Sequence, residues 1–442
     1  MGSTMTPGAR IKAAAEILQD LSASKEPADR YMRSWGTKNR YAGSKDRRFL
    51  KAVVFDVLRH RASYAEAMGS DDPRGLALAA VRWSQDYSVD ELVKACTGAR
   101  HDAEKLTDAE RKSLTPDAAP PVLEWPAWGL EELGKGRSED ETKELANALN
   151  TLAPLDLRVN GAKADRDDVL AALDAVGFSA KPSQFSPLGI RISRGEDETE
   201  STNIRALPLF RDGRIEVQDE GSQLVAMLAG AKPGMQIIEL CAGGGGKTLV
   251  LAEALEKSGQ VFACDTDPSR LRNGQERVKR AGLSNVQPLQ ITPWDAEGAD
   301  PELEEYVGKA DLVYLDVPCS GSGAWRRQPD GKWRMAQQDL DALNATQAAI
   351  LKRGARLVKP GGTLVYVTCS VFQRENADQV SGFLEQTSDF AILDIAPLWE
   401  SNIGARFPSG LEPGLVNGGT LQLSPVTGGT DGFFAAILKR SS

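Results

Sequence analysis

Two cysteines stand where an enzyme of the α/β class would keep its chemistry. Cys319 lies in Asp-Val-Pro-Cys-Ser-Gly-Ser-Gly and Cys369 in Val-Thr-Cys-Ser, and each follows a short apolar run that reads as a buried strand. Open α/β sheets carry their reactive groups at the carboxyl ends of strands. A glycine-rich turn, Cys241-Ala-Gly-Gly-Gly-Gly-Lys-Thr248, follows another apolar run and offers backbone that a ligand can approach closely. The first reading is a paired-thiol enzyme with a nucleotide-like cofactor.

A thiolate adds readily to an electron-poor ring carbon, and C6 of a pyrimidine is such a carbon when N3 is protonated or hydrogen-bonded. The adduct makes C5 nucleophilic toward a methyl donor. The C5 proton must then leave and the first thiol be expelled, which requires a base. Two thiols and an acid satisfy those needs, and Asp316 lies three residues before Cys319. Strand position alone does not say which thiol attacks. A free cysteine is often only a small buried hydrophobe; that reading suits Cys96, on an apolar helix face, and Cys264, inside a strand, better than two cysteines at strand ends.

The glycine turn leads from a strand ending at Leu240 to a helix starting near Thr248, and Asp265 ends the next strand, where a carboxylate accepts hydrogen bonds from ribose hydroxyls. A phosphate-binding P-loop is the rival, since Gly-Gly-Gly-Gly-Lys-Thr resembles its end and Leu312-Val-Tyr-Leu-Asp316 resembles a Walker B strand. That motif needs glycine at position 241, where this chain has Cys, and it gives Asp265 no task.

The elements around these residues divide into three. Residues 1–115 read as helical, with Leu50, Val53, Val54, Val57 and Leu58 on one face of a helix that Ser44 would cap. A polar stretch around Thr107 to Pro121 reads as a linker. Residues 116–216 read as a small α+β module, with strands at 155–160 and 190–193, a helix at 165–176, and an exposed acidic loop from Glu196 to Thr202. From 217 to 442 apolar runs at 236–240, 261–264, 311–315 and 363–367 alternate with helical patterns such as 340–358, which predicts a mostly parallel, doubly wound sheet.

The 442 residues, 41% hydrophobic and 26% charged, suit a soluble globular chain, and no apolar stretch is long enough to span a bilayer. Five widely spaced cysteines without a Cys-x-x-Cys pair point to reduced thiols, and two isolated histidines, His60 and His101, argue against zinc or histidine chemistry. The expectation is a cytoplasmic monomer that binds no metal and no membrane. The net charge of −9 conceals a basic segment: from Arg30 to Arg61 ten Lys and Arg face two Asp, interleaved with Tyr31, Trp35 and Tyr41. Such a surface tracks phosphates and stacks bases, with Lys45, Arg47 and Arg48 at its centre. After Cys319, Arg326, Arg327, Lys332 and Arg334 would hold phosphates beside the site, and Trp325 or Trp333 would stack on a base.

Taken in order, Val217-Gln-Asp-Glu-Gly-Ser-Gln, Cys241 to Thr248, Asp316-Val-Pro-Cys-Ser-Gly-Ser-Gly323, Arg326-Arg-Gln-Pro-Asp-Gly-Lys-Trp333, Thr368-Cys-Ser370 and Asp431-Gly-Phe-Phe434 resemble the Sun-type ribosomal RNA (cytosine-5) methyltransferases. The basic helical N-terminus is similar to the NusB-like RNA-binding domain found in that family, so the likeness covers nearly the whole chain. The resemblance implies a Rossmann-like class I methyltransferase domain, S-adenosylmethionine as cofactor and RNA, 16S rRNA above all, as partner. It implies that Cys369 attacks C6 and Cys319 assists proton removal and release; in DNA cytosine-5 methyltransferases the Pro-Cys thiol attacks instead, which is the internal alternative. It implies that Cys241, Ala242, Gly243, Gly244, Gly245, Gly246 and Lys247 meet the methionine end, Asp265 the ribose, Asp316 the base or the cofactor's amino group, with Arg270 close by. The family's Cys-Ala-Ala-Pro-Gly-Gly-Lys reads here Cys-Ala-Gly-Gly-Gly-Gly-Lys, which predicts a looser loop. The third-strand aspartate is replaced by Thr292, with Asp295 three residues on. A silent RNA-binding ribosome-assembly factor with the same fold is the alternative of a different class.

Overall fold

The computed structural model describes residues 5–193, 204–293, 301–409, 411 and 418–442; the acidic loop expected at 196–202 and Asp295 lie outside them. The chain forms two compact units, one of residues 1–151 with 325–337, the other of 152–324 with 338–442.

The first unit is helical. Its long helix, Ser44–Met68, buries Leu50, Val53, Val54, Val57 and Leu58 on the face that periodicity predicted. Gly43 rather than Ser44 occupies the cap, and the Asp46 carboxylate accepts the Gly43 amide at 3.0 Å. The stretch read as a linker holds a helix, Asp108–Ser113, started by a Thr107/Glu110 capping box. Helices Ala127–Gly134 and Glu139–Ala148, placed by the sequence in the α+β module, group with this unit. The long helix bends at His60, where φ is −115° and ψ 26°. There the amides of Ala62 and Ser63 donate to Glu124, and the carbonyls of Leu58 and Arg59 accept from Trp333 Nε1 and Lys332 Nζ. Groups that the bend turns away from the helix ladder are thus met by side chains.

The second unit begins with a four-stranded antiparallel sheet, ordered β2-β3-β1-β4: β1 (Leu155–Val159), β2 (Ala180–Pro182), β3 (Gly189–Ile192) and β4 (Ile215–Val217). Helix Arg166–Asp174 covers it through Val169 and Leu173.

The larger sheet holds β5 (Gln236–Leu240), β6 (Gln260–Asp265), β7 (Val286–Gln290), β8 (Ala310–Asp316), β9 (Val358–Thr368), β10 (Phe390–Ile392), β11 (Thr420–Leu423) and β12 (Phe433–Arg440). Its order is β10-β12-β9-β8-β5-β6-β7, with β11 on β12. Strands β5 to β9 run parallel, and β12 pairs antiparallel with β9. The apolar runs are nearly continuous because both faces are covered. Ile237, Leu312, Tyr314, Val365 and Val367 enter one core, while Ile238, Val313, Leu315, Leu364 and Tyr366 enter the other. This is the mostly parallel, doubly wound sheet that the sequence predicted. Among the described residues no helix is long and apolar enough to cross a membrane.

The order determines where a ligand goes. From β5 the chain proceeds outward to β6 and β7, then returns to the far side of β5 for β8 and β9. Strands β5 and β8 therefore flank a topological switch point, whose carboxyl end is a crevice. The glycine turn leaves β5 there and Asp316 ends β8.

Candidate active site

The turn after β5 is left-handed at three places, with φ of +63° at Cys241, +57° at Gly243 and +80° at Gly245, and glycine relieves the strain at the last two. At Gly245 a Cβ would also meet Gly274 Cα at 3.0 Å, so the turn and the helix Pro268–Ala281 approach through two glycines. The turn is not slack despite Gly243-Gly244. Gly243 N donates to Asp265 Oδ2 at 2.8 Å, Arg277 donates to the Gly244 carbonyl at 2.8 Å, and Gln218 donates to the Gly246 carbonyl at 3.2 Å. Gln218 belongs to the Val217-Gln-Asp-Glu motif, whose Asp219 caps helix Glu220–Met227 and accepts the Asp431 amide. That motif is a clamp between the glycine turn, the small sheet and the C-terminal Asp-Gly-Phe-Phe.

Asp265 is 4% exposed; its other oxygen accepts the Asp267 amide at 2.9 Å, and Arg270 stands 3.9 Å away. Thr292 lies just beyond β7 and donates its hydroxyl to Glu302 at 2.8 Å, so it is engaged within the protein. A carboxylate at the end of β6, a turn with left-handed glycines after β5 and a second carboxylate at the end of β8 form the donor and acceptor set that an adenosyl amino acid requires: hydroxyl acceptor, close backbone and ammonium acceptor. A cavity of about 320 Å³ opens beside the turn, lined by Ala242, Gly243 and Gly245 with Ala263, Leu271 and Val278. Neither Asp265 nor Asp316 lines it.

Lys247, in the first turn of helix Gly246–Ala254, was expected to contribute backbone; its side chain does more. Nζ donates to Asp316 Oδ2 at 2.7 Å, with the side chains 11% and 27% exposed. Asp316 and neighbouring negative charge hold the Lys247 ammonium above its ordinary pKa despite burial. No local pattern signals a pair 69 residues apart.

The two thiols meet. Cys319 Sγ and Cys369 Sγ are 3.4 Å apart, both partly exposed. The loops that carry them are stitched together: Gly323 N donates to the Cys369 carbonyl at 3.0 Å, Ser322 Oγ lies 2.9 Å from Ser370 Oγ, and Gly432 N donates to the Gly323 carbonyl at 2.9 Å. The surroundings of the thiols differ. The hydrogen bond to Cys369, burial, the charge of Cys369 and then that of Glu375 push the Cys319 thiol well up. Cys96 and Cys264 are buried, as expected of structural cysteines, and burial raises both thiols.

The basic residues separate into two sets. Lys45, Arg47 and Arg48 are exposed on the helical unit, near Tyr41, which is 61% exposed. Arg326 and Lys332, expected to hold phosphates, are 3% and 2% exposed, and burial lowers the Lys332 pKa to about 7. Lys332 is spent on Asn150 and the Arg59 carbonyl, and Arg334 on Asp330. Trp325 is 3% exposed against the Trp125 and Trp128 rings, and the Trp333 indole donates to the Leu58 carbonyl at 2.7 Å. The cluster after Cys319 is therefore an anchor within the helical unit. Its charges and rings looked available because local sequence does not show what folds over it; Arg327 is half-buried.

Residues 226–439 match the family model 16S rRNA methyltransferase RsmB/F, and residues 125–197 match the ferredoxin-like domain of RsmF/B-like methyltransferases. A Synechocystis relative, "Probable ribosomal RNA small subunit methyltransferase B", is 31% identical over 353 residues, which cover 80% of this chain and 74% of that one. The Escherichia coli ribosomal RNA small subunit methyltransferase B is 36% identical over 266 residues, 60% of this chain and 58% of that protein. Among solved structures, PH0851 superposes with a TM-score of 0.74 at 26% identity over 100% of both chains. A methyltransferase homolog protein from Pyrococcus horikoshii gives 0.56 at 25% identity, covering 71% of this chain and 99% of that one. With its switch-point crevice, its glycine turn and these relatives, the chain belongs to the RsmB/F family of 16S rRNA methyltransferases, which depend on S-adenosylmethionine.

Proposed function

We propose that the protein methylates C5 of a cytosine in 16S rRNA through a covalent adduct between Cys369 and C6. The observation that carries this reading is the pair of thiols 3.4 Å apart, Cys369 directly after β9 and Cys319 three residues past the end of β8. A methyltransferase acting on oxygen or an amino group has no use for two such thiols.

The backbone from Cys241 to Lys247 with Asp265, Arg270 and Thr292 would hold S-adenosylmethionine, which when bound supplies an electrophilic methyl group. The target cytosine must be unpaired or turned out of its helix, since stacking covers C5 and C6. The exposed Lys45, Arg47 and Arg48 with Tyr41 suit the phosphates and bases of the surrounding RNA. Cys369 gives its thiol proton to Asp316 and bonds to C6; the C5=C6 electron pair moves toward N3, which takes the proton from Asp316. C5 becomes electron-rich and accepts the methyl group. For release, Cys319 donates its thiol proton to the departing Cys369 sulfur and takes the C5 proton in return, while the C5–H electron pair restores C5=C6. N3 returns its proton to Asp316 and thence to water. Both thiols are regenerated and one proton leaves, as the substitution of hydrogen by methyl requires.

The test uses rRNA and labelled cofactor. Cys319→Ala should accumulate a denaturation-resistant protein–RNA adduct, and Cys369→Ala should form none and transfer no label. The opposite pattern would reverse the two roles, and label transfer without an adduct in either variant would overturn the covalent reading. A silent assembly factor would bind the RNA without labelling it.

A further inference from the structure

Glu375 is 0% exposed, on the short turn Gln373–Glu375 that follows the Cys369 segment. Its Oε1 accepts the Ser320 amide at 2.8 Å and Gln347 Nε2 at 3.0 Å, and its Oε2 accepts the Ser320 hydroxyl at 2.5 Å. Gln347 Nε2 also donates to the Pro318 carbonyl at 3.0 Å. The residues on both sides of Cys319 are thus held by one carboxylate and the amide it orients. The Glu375 carbonyl accepts the Tyr366 hydroxyl at 2.6 Å, which ties the turn to β9 below Cys369.

Among the described residues no basic side chain pairs with Glu375, so three donors satisfy it without a cation. A buried carboxylate in that state keeps its field, and the group that feels it is the thiol it positions.

We propose that Glu375 is the positioning residue of this site: it fixes Cys319 against Cys369, and its buried charge assigns attack to Cys369 and proton donation to Cys319. The proposal rests on the two-thiol reading above. The Cys319 thiol is displaced upward first by its hydrogen bond to Cys369 and by burial, and the charge of Glu375 adds in the same direction. Two cysteines of equal intrinsic reactivity become an ordered pair because the buried carboxylate holds the chain on both sides of only one of them.

The experiment is site-resolved alkylation by iodoacetamide, read by mass spectrometry across pH on the full chain without RNA, paired with adduct and turnover assays on rRNA. In the parent, Cys319 should alkylate only at raised pH, because its thiol is held well above its ordinary value. Glu375→Gln, which keeps the shape and removes the charge, should raise the Cys319 alkylation rate at fixed pH about tenfold while Cys369 changes little. In the same variant kcat should fall and adduct accumulate, since release is impaired. Glu375→Asp keeps the charge and shortens the reach; Cys319 should stay slow to alkylate while kcat falls. Where Glu375→Gln folds poorly, Gln347→Leu isolates the tether: kcat falls with both alkylation profiles unchanged. Unchanged Cys319 alkylation in a folded Glu375→Gln variant overturns the proposal. Failure of Cys319→Ala to form an adduct would instead overturn the two-thiol reading, and alkylation without RNA separates the two.

Discussion

Replacing Lys247 by Met keeps the length of the side chain and removes its charge from the centre of the site. At 2.7 Å the attraction between Nζ and Asp316 Oδ2 is about 6 kcal/mol if the effective dielectric constant is about 20. Desolvation of an ammonium only 11% exposed offsets much of it. A hydrogen bond between charged partners contributes about 1.5–3 kcal/mol net, and with Asp316 still in contact with water the lower half of that range is the expectation for stability. Catalysis should suffer more, because Lys247 pairs with Asp316, the acid proposed to serve N3. Loss of one such preorganised group costs about 10²–10³ in rate. The assay is single-turnover methyl transfer to rRNA at saturating S-adenosylmethionine, with cofactor affinity measured by calorimetry and folding by denaturant titration. The sign for pH follows from the raised Lys247 pKa: its stabilisation is fully present below the ordinary lysine value of 10.5 and is lost as pH rises through the higher folded value. A parent–variant difference in stability should therefore hold through neutral pH and vanish only in strong alkali. A folded variant that binds cofactor normally and turns over within tenfold of the parent would refute this account of the site.

Three further outcomes follow from the same geometry. Glu239 is 1% exposed, accepts the Thr248 hydroxyl through one oxygen and leaves the other without a partner, and burial raises its pKa to about 8. The native state then holds a proton that the unfolded chain loses, so parent stability should fall as pH rises from 4.5 to about 8, by at most a few kcal/mol, and Glu239→Gln should flatten that decline in urea titrations. Arg158 is 1% exposed and grips Glu253 through both terminal nitrogens while its Nε donates to Gln218 at 2.8 Å; Arg158→Met should cost about 3 kcal/mol of stability and, by freeing Gln218 from the Gly246 carbonyl, weaken cofactor binding. Asp265→Ala should weaken S-adenosylmethionine binding by about 10–100-fold through the lost charge-assisted hydrogen bonds, without a comparable change in the unfolding midpoint; equal cofactor affinity in calorimetry would remove Asp265 from the site.

Sequence by itself determined the features that depend on near neighbours. Apolar runs covered on both faces announced β5, β6, β8 and β9, because a strand buried in a parallel sheet alternates its residues between two cores and neither side can be polar. The turn from Cys241 to Thr248, Asp265 after its strand and both reactive cysteines were legible for the same reason, each being defined within a few residues of a strand end. Tertiary structure decided what depends on separation. The thiols stand 50 residues apart in the chain and Lys247 stands 69 from Asp316, yet each pair meets because β5, β8 and β9 are adjacent in the sheet. It also decided which charges face water. Arg326 and Lys332 read like Arg47 and Arg48, but the segment that carries them packs into a bent helix and satisfies its carbonyls, so their charge is spent inside the protein. Glu375 had no motif to mark it, because a carboxylate becomes informative only when burial removes its water and shows which donors replaced it.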